Sequence, residues 1–161
     1  MPSIYLVRHG EYENPLGLLA GRLPMPLSEV GRQQAERLKE YFATRHIGHI
    51  YSSAVLRSQE TSQIIADGKI PITYDQRLLE TFSAYQGYWA ENWHGDGYHF
   101  FSHRGELGGE SQADLQQRMV DFWTEVTSNL TENIIISSHG DPLQTLYAYL
   151  KKIPLPDYSV K

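Results

Sequence analysis

The stretch NIIISSHGDP, residues 133–142, indicates the fold class of this chain. Its apolar residues follow one another instead of alternating with polar ones, which is typical of a strand buried on both faces of a parallel sheet. Asp141 and Pro142 favour the N-cap and the first position of a helix, so we expect a last helix over 143–151. A buried strand that leads directly into a helix is typical of an α/β protein.

Strand and helix patterns alternate along the rest of the chain as well. Apolar runs predict three further strands, and a helical spacing of apolar residues predicts three further helices. The strands are expected at 3–8, 49–53 and 70–74, and the helices after an N-cap at Ser28, over 54–66 and after a capping box of Ser111 and Asp114. We therefore predict a three-layer α/β/α fold in which helices cover both faces of a mainly parallel sheet.

Length and composition limit the classes of function. The 161 residues fit one domain, so we expect a single domain over 1–161. The formal charge of −5, from 14 Lys and Arg against 19 Asp and Glu, provides no positive field to collect nucleic acid. The absence of cysteine excludes thiolate nucleophiles and zinc sites that need sulfur. The chain shows neither a secretory signal nor an apolar run of about 18 residues, so we expect a cytoplasmic protein without a membrane partner.

Two His-Gly pairs occupy equivalent positions in the predicted sheet. His9-Gly10 follows the first predicted strand, and His139-Gly140 follows the last. Open α/β sheets bind ligands at the carboxyl ends of their strands, where the strand order reverses. The helix that begins after the second pair offers free N–H groups and a partial positive charge to an anion.

Two arginines belong to the same edge of the predicted sheet. Arg8 precedes His9, and Arg57 lies in the second predicted helix, just after the second strand. The forked N–H donors of a guanidinium match the oxygens of a phosphate group. Two arginines and two histidines at strand ends therefore predict a compact phosphate pocket.

Six blocks of sequence carry a family resemblance: LVRHGEYEN, AGRLPMPLSEVGRQQAERL, IYSSAVLRSQETSQII, RLLE, GGES and IIISSHGDP. They occur in the order found in the histidine phosphatase superfamily, in its phosphoglycerate-mutase-like branch. The resemblance covers most of the chain except 81–107. It implies a phosphoglycerate-mutase-like fold and an enzyme that acts on phosphate esters with neither a cofactor nor a metal ion.

The resemblance also implies roles for individual residues. His9 is similar to the nucleophile that becomes phosphohistidine, and Glu80 to the acid that protonates the leaving oxygen and then helps to activate water. The implied phosphate-binding residues are Arg8, Asn14, Arg57, His139 and Gly140, and His139 is counted among the catalytic residues as well. The superfamily pattern H-G-x-S/T-x-x-N appears here as H-G-E-Y-E-N, one residue shorter and with Tyr12 where a small hydroxyl is common.

Several of these residues have ordinary structural alternatives. Arg57 could form an i,i+3 ion pair with Glu60, and Asp141 is interpreted as a helix cap. Ser53 and Thr61 are interpreted as local hydrogen-bonding groups. A metal site formed by the histidines in the aromatic-rich stretch is disfavoured, because their spacing fits no regular ligand face; these histidines are His94, His99 and His103.

An aromatic-rich segment over 82–105 holds eight of the 19 aromatics (3 Trp, 11 Tyr and 5 Phe). We interpret 81–107 as a divergent cap on the domain, which either packs on the core or forms the wall that holds the leaving group. Arg104 is the only Lys or Arg in the segment. This composition favours an uncharged, flat or apolar leaving group over a highly charged one.

We therefore expect a phosphatase that hydrolyses a small phosphate ester, acting as a monomer or homodimer. Four alternatives remain open at this point, and one of them, a plain metal hydrolase, would lose activity in the presence of a chelator. A phosphoglycerate-type mutase is disfavoured by the short chain, because the water exclusion that a mutase needs could come from inserted segments. A phosphohistidine-protein phosphatase is disfavoured by the presence of Glu80, because an imidazole leaving group needs no strong acid. A non-catalytic phospholigand-binding protein is disfavoured because the nucleophile and the clamp are all present.

Overall fold

Four strands and four α-helices form the part of the chain that the computed structural model describes, residues 2–90 and 108–155. The strands are β1 (Ile4–Arg8), β2 (Ile47–Ser52), β3 (Ile72–Tyr74) and β4 (Asn133–Ser138). The helices are α1 (Glu29–Phe42), α2 (Leu56–Ala66), α3 (Gln112–Thr127) and α4 (Gly140–Leu150), and a 3₁₀ turn spans Gln76–Leu78. Within the described ranges, no helix has the length and apolar character needed to cross a membrane.

The strands form one sheet in the order β1-β4-β2-β3, and each pairing is parallel, as predicted. β4 lies in the interior of the sheet, where Ile136 pairs with Leu6 of β1 on one side and with Tyr51 of β2 on the other. Residues 134–138 of this strand are all buried. The interior position therefore explains why the apolar run of β4 does not alternate with polar residues.

Helices cover both faces of the sheet, which confirms the predicted three-layer fold. Ile135 faces α1 and α2, where it packs in a cluster with Phe42 and Ile65. Ile134 and Ile136 point the opposite way, into a cluster with side chains of α3 and α4. Full burial of one such side chain contributes roughly 1.5–3 kcal/mol, so the two clusters hold the sheet between its helical layers.

The helix starts agree with the sequence at two positions and differ at the other two, since α2 begins at Leu56 instead of residue 54 and α4 also begins elsewhere. Ser28 caps α1 and Ser111 forms the predicted capping box at the start of α3. The prediction that Asp141 is the N-cap of α4 is wrong, because α4 begins at Gly140 and His139 is its N-cap, with an extended backbone. β4 thus leads into α4 after a single residue, and Asp141 lies within the first helical turn.

Of the predicted cap over 81–107, the structure describes only 81–90, which packs against the loop that precedes α1. The N–H of Leu19 donates to the carbonyl of Tyr88, and the N–H of Gly87 donates to the carbonyl of Leu19, both at 2.9 Å. The rest of the predicted cap, with the three histidines considered as metal ligands, lies outside the described residues.

Candidate active site

Predicted site residues meet at the carboxyl edge of the sheet. β1 ends at Arg8 and places His9 there, and β4 places His139 beside it, with 5.0 Å between the ring centroids. The helix that follows β1 and the helix that follows β4 cover opposite faces, so these two strands border a topological switch point. Arg57 reaches the same edge from the first turn of α2.

Two hydrogen bonds orient the imidazole of His9. Its Nδ1 lies 2.7 Å from the carbonyl oxygen of Gly10, which can only accept, so Nδ1 carries the proton. Nε2 then carries the lone pair, and Arg57 Nε donates to it at 3.1 Å. Burial, together with the positive charges of Arg57 and Arg8, lowers the pKa of His9 to about 4. His9 is therefore neutral at pH 7, with its lone pair on Nε2.

The guanidinium of Arg57 lies at the centre of the site, and only 2% of the side chain is exposed. Its Nη2 donates to the carbonyl of Gly21 at 2.8 Å and to Nδ1 of His139 at 3.1 Å. Glu60 pairs instead with Arg32 at 3.0 Å, so the alternative i,i+3 ion pair is not formed. Arg57 thus connects the two histidines of the site.

His139 is fully buried and is held by a serine at the end of β2. Its Nε2 lies 2.8 Å from Oγ of Ser53, which also accepts from the N–H of Val55. Because Arg57 donates to Nδ1, Nε2 carries the proton and donates to Ser53. Burial and the charge of Arg57 lower the pKa of His139, so this imidazole is neutral as well. Ser53 is a hydrogen-bonding group, as the sequence indicated, but its partner is the site histidine itself.

A carboxyl group faces the histidines from the loop after the 3₁₀ turn. Oε2 of Glu80 lies 3.7 Å from Nδ1 of His139 and 3.9 Å from Nη2 of Arg57, and Oε1 accepts from the N–H of Thr81 at 2.8 Å. Burial raises the pKa of Glu80 to about 7, and the nearby charge of Asp141 adds to the increase. A carboxyl group with a pKa near neutrality can donate a proton at pH 7.

Asp141 borders the same cleft as Glu80. Its Oδ2 lies 3.4 Å from Oγ1 of Thr81, so Thr81 contacts both acids, Glu80 through its N–H and Asp141 through its hydroxyl. Burial raises the pKa of Asp141 too. The sequence did not indicate the contact between Thr81 and Asp141, because the two residues lie far apart in the chain. The motif H-G-D-P also suits both a helix cap and a first helical turn, so it does not fix the position of Asp141.

The loop that carries His9 packs backbone to backbone against α1. A Cβ at Gly10 would lie 2.6 Å from the carbonyl oxygen of Gly31, and a Cβ at Gly31 would lie 1.9 Å from that of Glu11. This close approach requires glycine at both positions. Gly140 is different, because its Cβ would lie 3.6 Å from Cζ of Arg8, an ordinary contact. That distance also places the Arg8 guanidinium beside the N-terminus of α4.

Asn14 and Tyr12 belong to the loop that follows His9. Asn14 Nδ2 donates to the carbonyl of Leu18 and its Oδ1 accepts from the N–H of Leu18, each at 2.9 Å, so its contact with phosphate stays a prediction. Tyr12, to which the sequence assigned no role, lies with its ring centroid 5.5 Å from that of His9. In the sequence, Tyr12 could have been noticed because it replaces the small hydroxyl residue that is common at this position of the superfamily pattern.

The site as a whole presents cationic and N–H donors on one side and a carboxyl group on the other, which suits a phosphate ester. In the ranges 2–90 and 108–155, no group of three or more His, Asp or Glu side chains is arranged to hold a metal ion.

Comparisons with known proteins identify the family of the chain. The sequence matches the model of the histidine phosphatase superfamily, branch 1, over residues 4–160. It is similar to phosphoserine phosphatase 1 of Hydrogenobacter thermophilus, with 30% identity over 98% of this chain and 80% of that protein. It is also similar to phosphoglycerate mutase-like protein 4 of Arabidopsis thaliana, with 34% identity over 90% of this chain and 69% of that protein.

Solved structures share the fold. Bacillus stearothermophilus YhfR has a TM-score of 0.83 and 32% identity, over 98% of this chain and 86% of that one. A phosphoserine phosphatase of Entamoeba histolytica, solved in complex with 3-phosphoglyceric acid, has a TM-score of 0.77 and 27% identity, over 95% of this chain and 81% of that one. The chain therefore belongs to the histidine phosphatase superfamily. Within it, the chain is a phosphatase that hydrolyses phosphate monoesters.

Proposed function

We propose that the chain hydrolyses a small-molecule phosphate monoester without a metal ion, through a phosphohistidine on His9. The orientation of His9 carries the proposal. Its Nδ1 is held by the carbonyl of Gly10, and its Nε2 faces Arg57. Nucleophilic attack on a phosphate ester needs a neutral imidazole with a fixed lone pair beside cationic donors, and this orientation supplies both.

In the first step, Nε2 of His9 attacks phosphorus and the bond from phosphorus to the ester oxygen breaks. Glu80 donates its proton to the departing oxygen, since its pKa of about 7 leaves it about half protonated at pH 7 and largely protonated below that pH. Arg8, Arg57 and the N–H groups at Gly140 neutralise the equatorial oxygens of the phosphoryl group. These groups supply the positive charge that the transition state needs, so we expect activity in the presence of a chelator.

In the second step, water attacks the phosphoryl group on His9. The carboxylate that the first step leaves on Glu80 takes a proton from this water, and the phosphorus–nitrogen bond breaks. His9 recovers its lone pair and Glu80 recovers its proton as inorganic phosphate departs. The same carboxyl group thus acts as acid and then as base.

His139 exchanges a hydrogen bond when it binds phosphate. In the structure its Nδ1 accepts from Arg57, whereas a phosphate oxygen needs a donor at this atom. The hydroxyl of Ser53 can accept from Nε2 or donate to it, so it supports either tautomer.

The cleft beside Glu80 supports a leaving group without negative charge. Its described lining residues include two carboxyl groups, Glu80 and Asp141, and neither Lys nor Arg. A leaving group that carries a carboxylate would meet like charge there, whereas a neutral alcohol or phenol would not. We therefore expect aryl and nucleoside phosphates to be hydrolysed more efficiently than phosphoglycerates.

Hydrolysis of p-nitrophenyl phosphate in EDTA tests the proposal. We expect turnover by the wild type and none by His9→Ala. His49→Ala serves as the matched control, because His49 lies on β2 and contacts Thr73 instead of the site. Mass spectrometry after an alkaline denaturing quench should show one added phosphoryl group on the wild type and none on His9→Ala. Turnover that EDTA abolishes, or that persists in His9→Ala, would contradict the proposal.

Glu80→Gln separates the acid from the nucleophile. For alkyl phosphates, whose leaving oxygen needs a proton, we expect about 10²–10⁴-fold slower hydrolysis. For p-nitrophenyl phosphate, whose leaving group is stable as an anion, the phosphohistidine should still form and then persist. An equal loss in both steps for both substrates would argue against Glu80 as the proton donor.

A further inference from the structure

Tyr12 holds a fixed position over the site. It pairs with Leu27 in an antiparallel bridge, and the N–H of the next residue, Glu13, donates to the carbonyl of Pro26 at 2.8 Å. The segment that precedes α1 thus fixes the backbone of Tyr12 and, with it, the position of the ring. The position of the ring therefore depends on two chain segments, and it is not set by one loop alone.

The ring of Tyr12 contacts the nucleophile and the central arginine at once. It is inclined at 67° to the imidazole of His9, with 5.5 Å between centroids. The Cζ atom of Arg57 lies over the face of the ring, 4.8 Å from its centroid. This distance is within the range of cation–π attraction, which is strongest where the cation is removed from water.

Arg57 needs a partner of this kind. Only 2% of the side chain is exposed, and the carboxylate that approaches it, Glu80, is 3.9 Å away and holds a proton for part of the time at neutral pH. A permanent carboxylate partner would compete with the substrate for the guanidinium N–H groups. An aromatic face stabilises the cation from above its plane and occupies none of the N–H donors, which lie in the plane and can exchange His9 and His139 for a phosphate as acceptor.

We propose that Tyr12 is a positioning residue of the phosphate site, whose ring face holds the guanidinium of Arg57 while leaving its N–H groups available to the substrate. The proposal rests on the proposed role of Arg57 in binding phosphate and extends it to a residue outside the clamp. It requires an aromatic ring at position 12 and does not require the phenol hydroxyl.

Calorimetric binding of inorganic phosphate, together with kcat and KM for p-nitrophenyl phosphate, tests this role. We expect Tyr12→Phe to stay within about twofold of the wild type, and Tyr12→Leu to raise both the phosphate Kd and KM about tenfold. Tyr147→Leu is the matched control, because it removes an exposed ring that lies 5.9 Å from the Lys151 ammonium on the surface of α4. It should leave both constants unchanged.

Pentafluorophenylalanine at position 12 gives a second measurement that keeps the shape of the ring. Fluorination reverses the charge distribution on the ring face, so phosphate should bind more weakly than it does with phenylalanine there. Equal affinity of the two ring variants, or wild-type affinity of Tyr12→Leu, would overturn the proposal. Because phosphate binding is measured without turnover, failure of the phosphohistidine chemistry would be seen separately, as a missing adduct on His9.

Discussion

The Nε atom of Arg57 donates a hydrogen bond to Nε2 of His9 across 3.1 Å. The guanidinium proposed to bind phosphate is therefore hydrogen-bonded to Nε2 of His9, the atom proposed to attack phosphorus. A phosphate oxygen that binds this N–H takes the donor away from His9 and releases the lone pair. Substrate binding and activation of the nucleophile are thus coupled through a single donor, which favours attack only when a phosphate is in place.

Glu80 should lower the stability of the fold, a cost that accompanies its proposed role as proton donor. Its pKa is raised from 4.5 to about 7, so the folded state binds its proton more tightly than the unfolded state, and the free energy of unfolding falls as pH rises through that window. Above pH 7 the full decrease in the free energy of unfolding remains. Glu80→Gln should therefore raise the free energy of unfolding by about 1–3 kcal/mol at pH 8 and by much less at pH 4.5.

Urea denaturation at the two pH values measures this difference. Glu36→Gln provides the control, since Glu36 is half exposed on α1 and pairs with Lys39 at the surface. A gain in Glu80→Gln that is the same at both pH values would show that protonation of Glu80 is not its source.

Asp141 should set the alkaline limb of the pH profile. Its charge raises the pKa of Glu80, whereas the charges of Arg57 and Arg8 act in the opposite direction. Asp141→Asn removes the charge and keeps the shape, so Glu80 should lose its proton at lower pH and kcat/KM at pH 8 should fall about threefold. The acidic limb, which belongs to His9, should not move.

The full pH dependence of kcat/KM checks this prediction. Asp121→Asn is the control, because Asp121 is exposed on α3 and bonds to Gln117. An alkaline limb at the same pH in the wild type and Asp141→Asn would count against the coupling between the two carboxyl groups.

Ser53 should affect both activity and stability. Ser53→Ala leaves the proton on Nε2 of His139 without its acceptor, and we expect a loss of about 1–3 kcal/mol in stability and about tenfold in kcat/KM. Ser58→Ala is the matched variant, since Ser58 is also fully buried but its hydroxyl contacts Ser52 and Ser137. It should lose stability and retain activity, so similar activity losses in both variants would refute a specific role for Ser53.

Gly31 should be intolerant of any side chain. A methyl group there would lie 1.9 Å from the carbonyl oxygen of Glu11. Both segments meet through their backbones, which cannot rotate away as a flexible side chain can. We expect Gly31→Ala to lose about 1–3 kcal/mol of stability and to displace the loop that carries His9. Thermal unfolding should show a lowered Tm for this variant, whereas Gly140→Ala, with a 3.6 Å contact, should keep its Tm. Equal Tm values would mean that the two backbones can separate without cost.

The layers of the fold could be predicted because their signals are local. The apolar run of β4 and the capping box at Ser111 each lie within a few residues, and the structure contains both as predicted. The start of α4 could not be placed to the residue, because Asp141 and Pro142 are suited to a cap and to a first turn alike. Only the packing of the helix against the sheet distinguishes the two.

The site could be predicted in part for a related reason. Strand ends and the superfamily resemblance indicated His9, His139, Arg57 and Glu80, and the structure brings these four residues together. The contacts of Tyr12 depend on the path of a loop, which has no periodicity to read. The same holds for the contact of Thr81 with Asp141, which joins two segments far apart in the chain.

The interior position of β4 has a consequence for synthesis of the protein. In the described sheet β1 pairs with β4 alone, and β4 is the last of these four strands to leave the ribosome. In a nascent chain that ends before residue 133, β1, which precedes His9, therefore has no paired strand that links it to β2, which precedes the Arg57 helix. Insertion of β4 completes the sheet and delivers His139 in the same event. Assembly of the proposed site and completion of the described sheet thus coincide, so a chain that lacks β4 also lacks the proposed site.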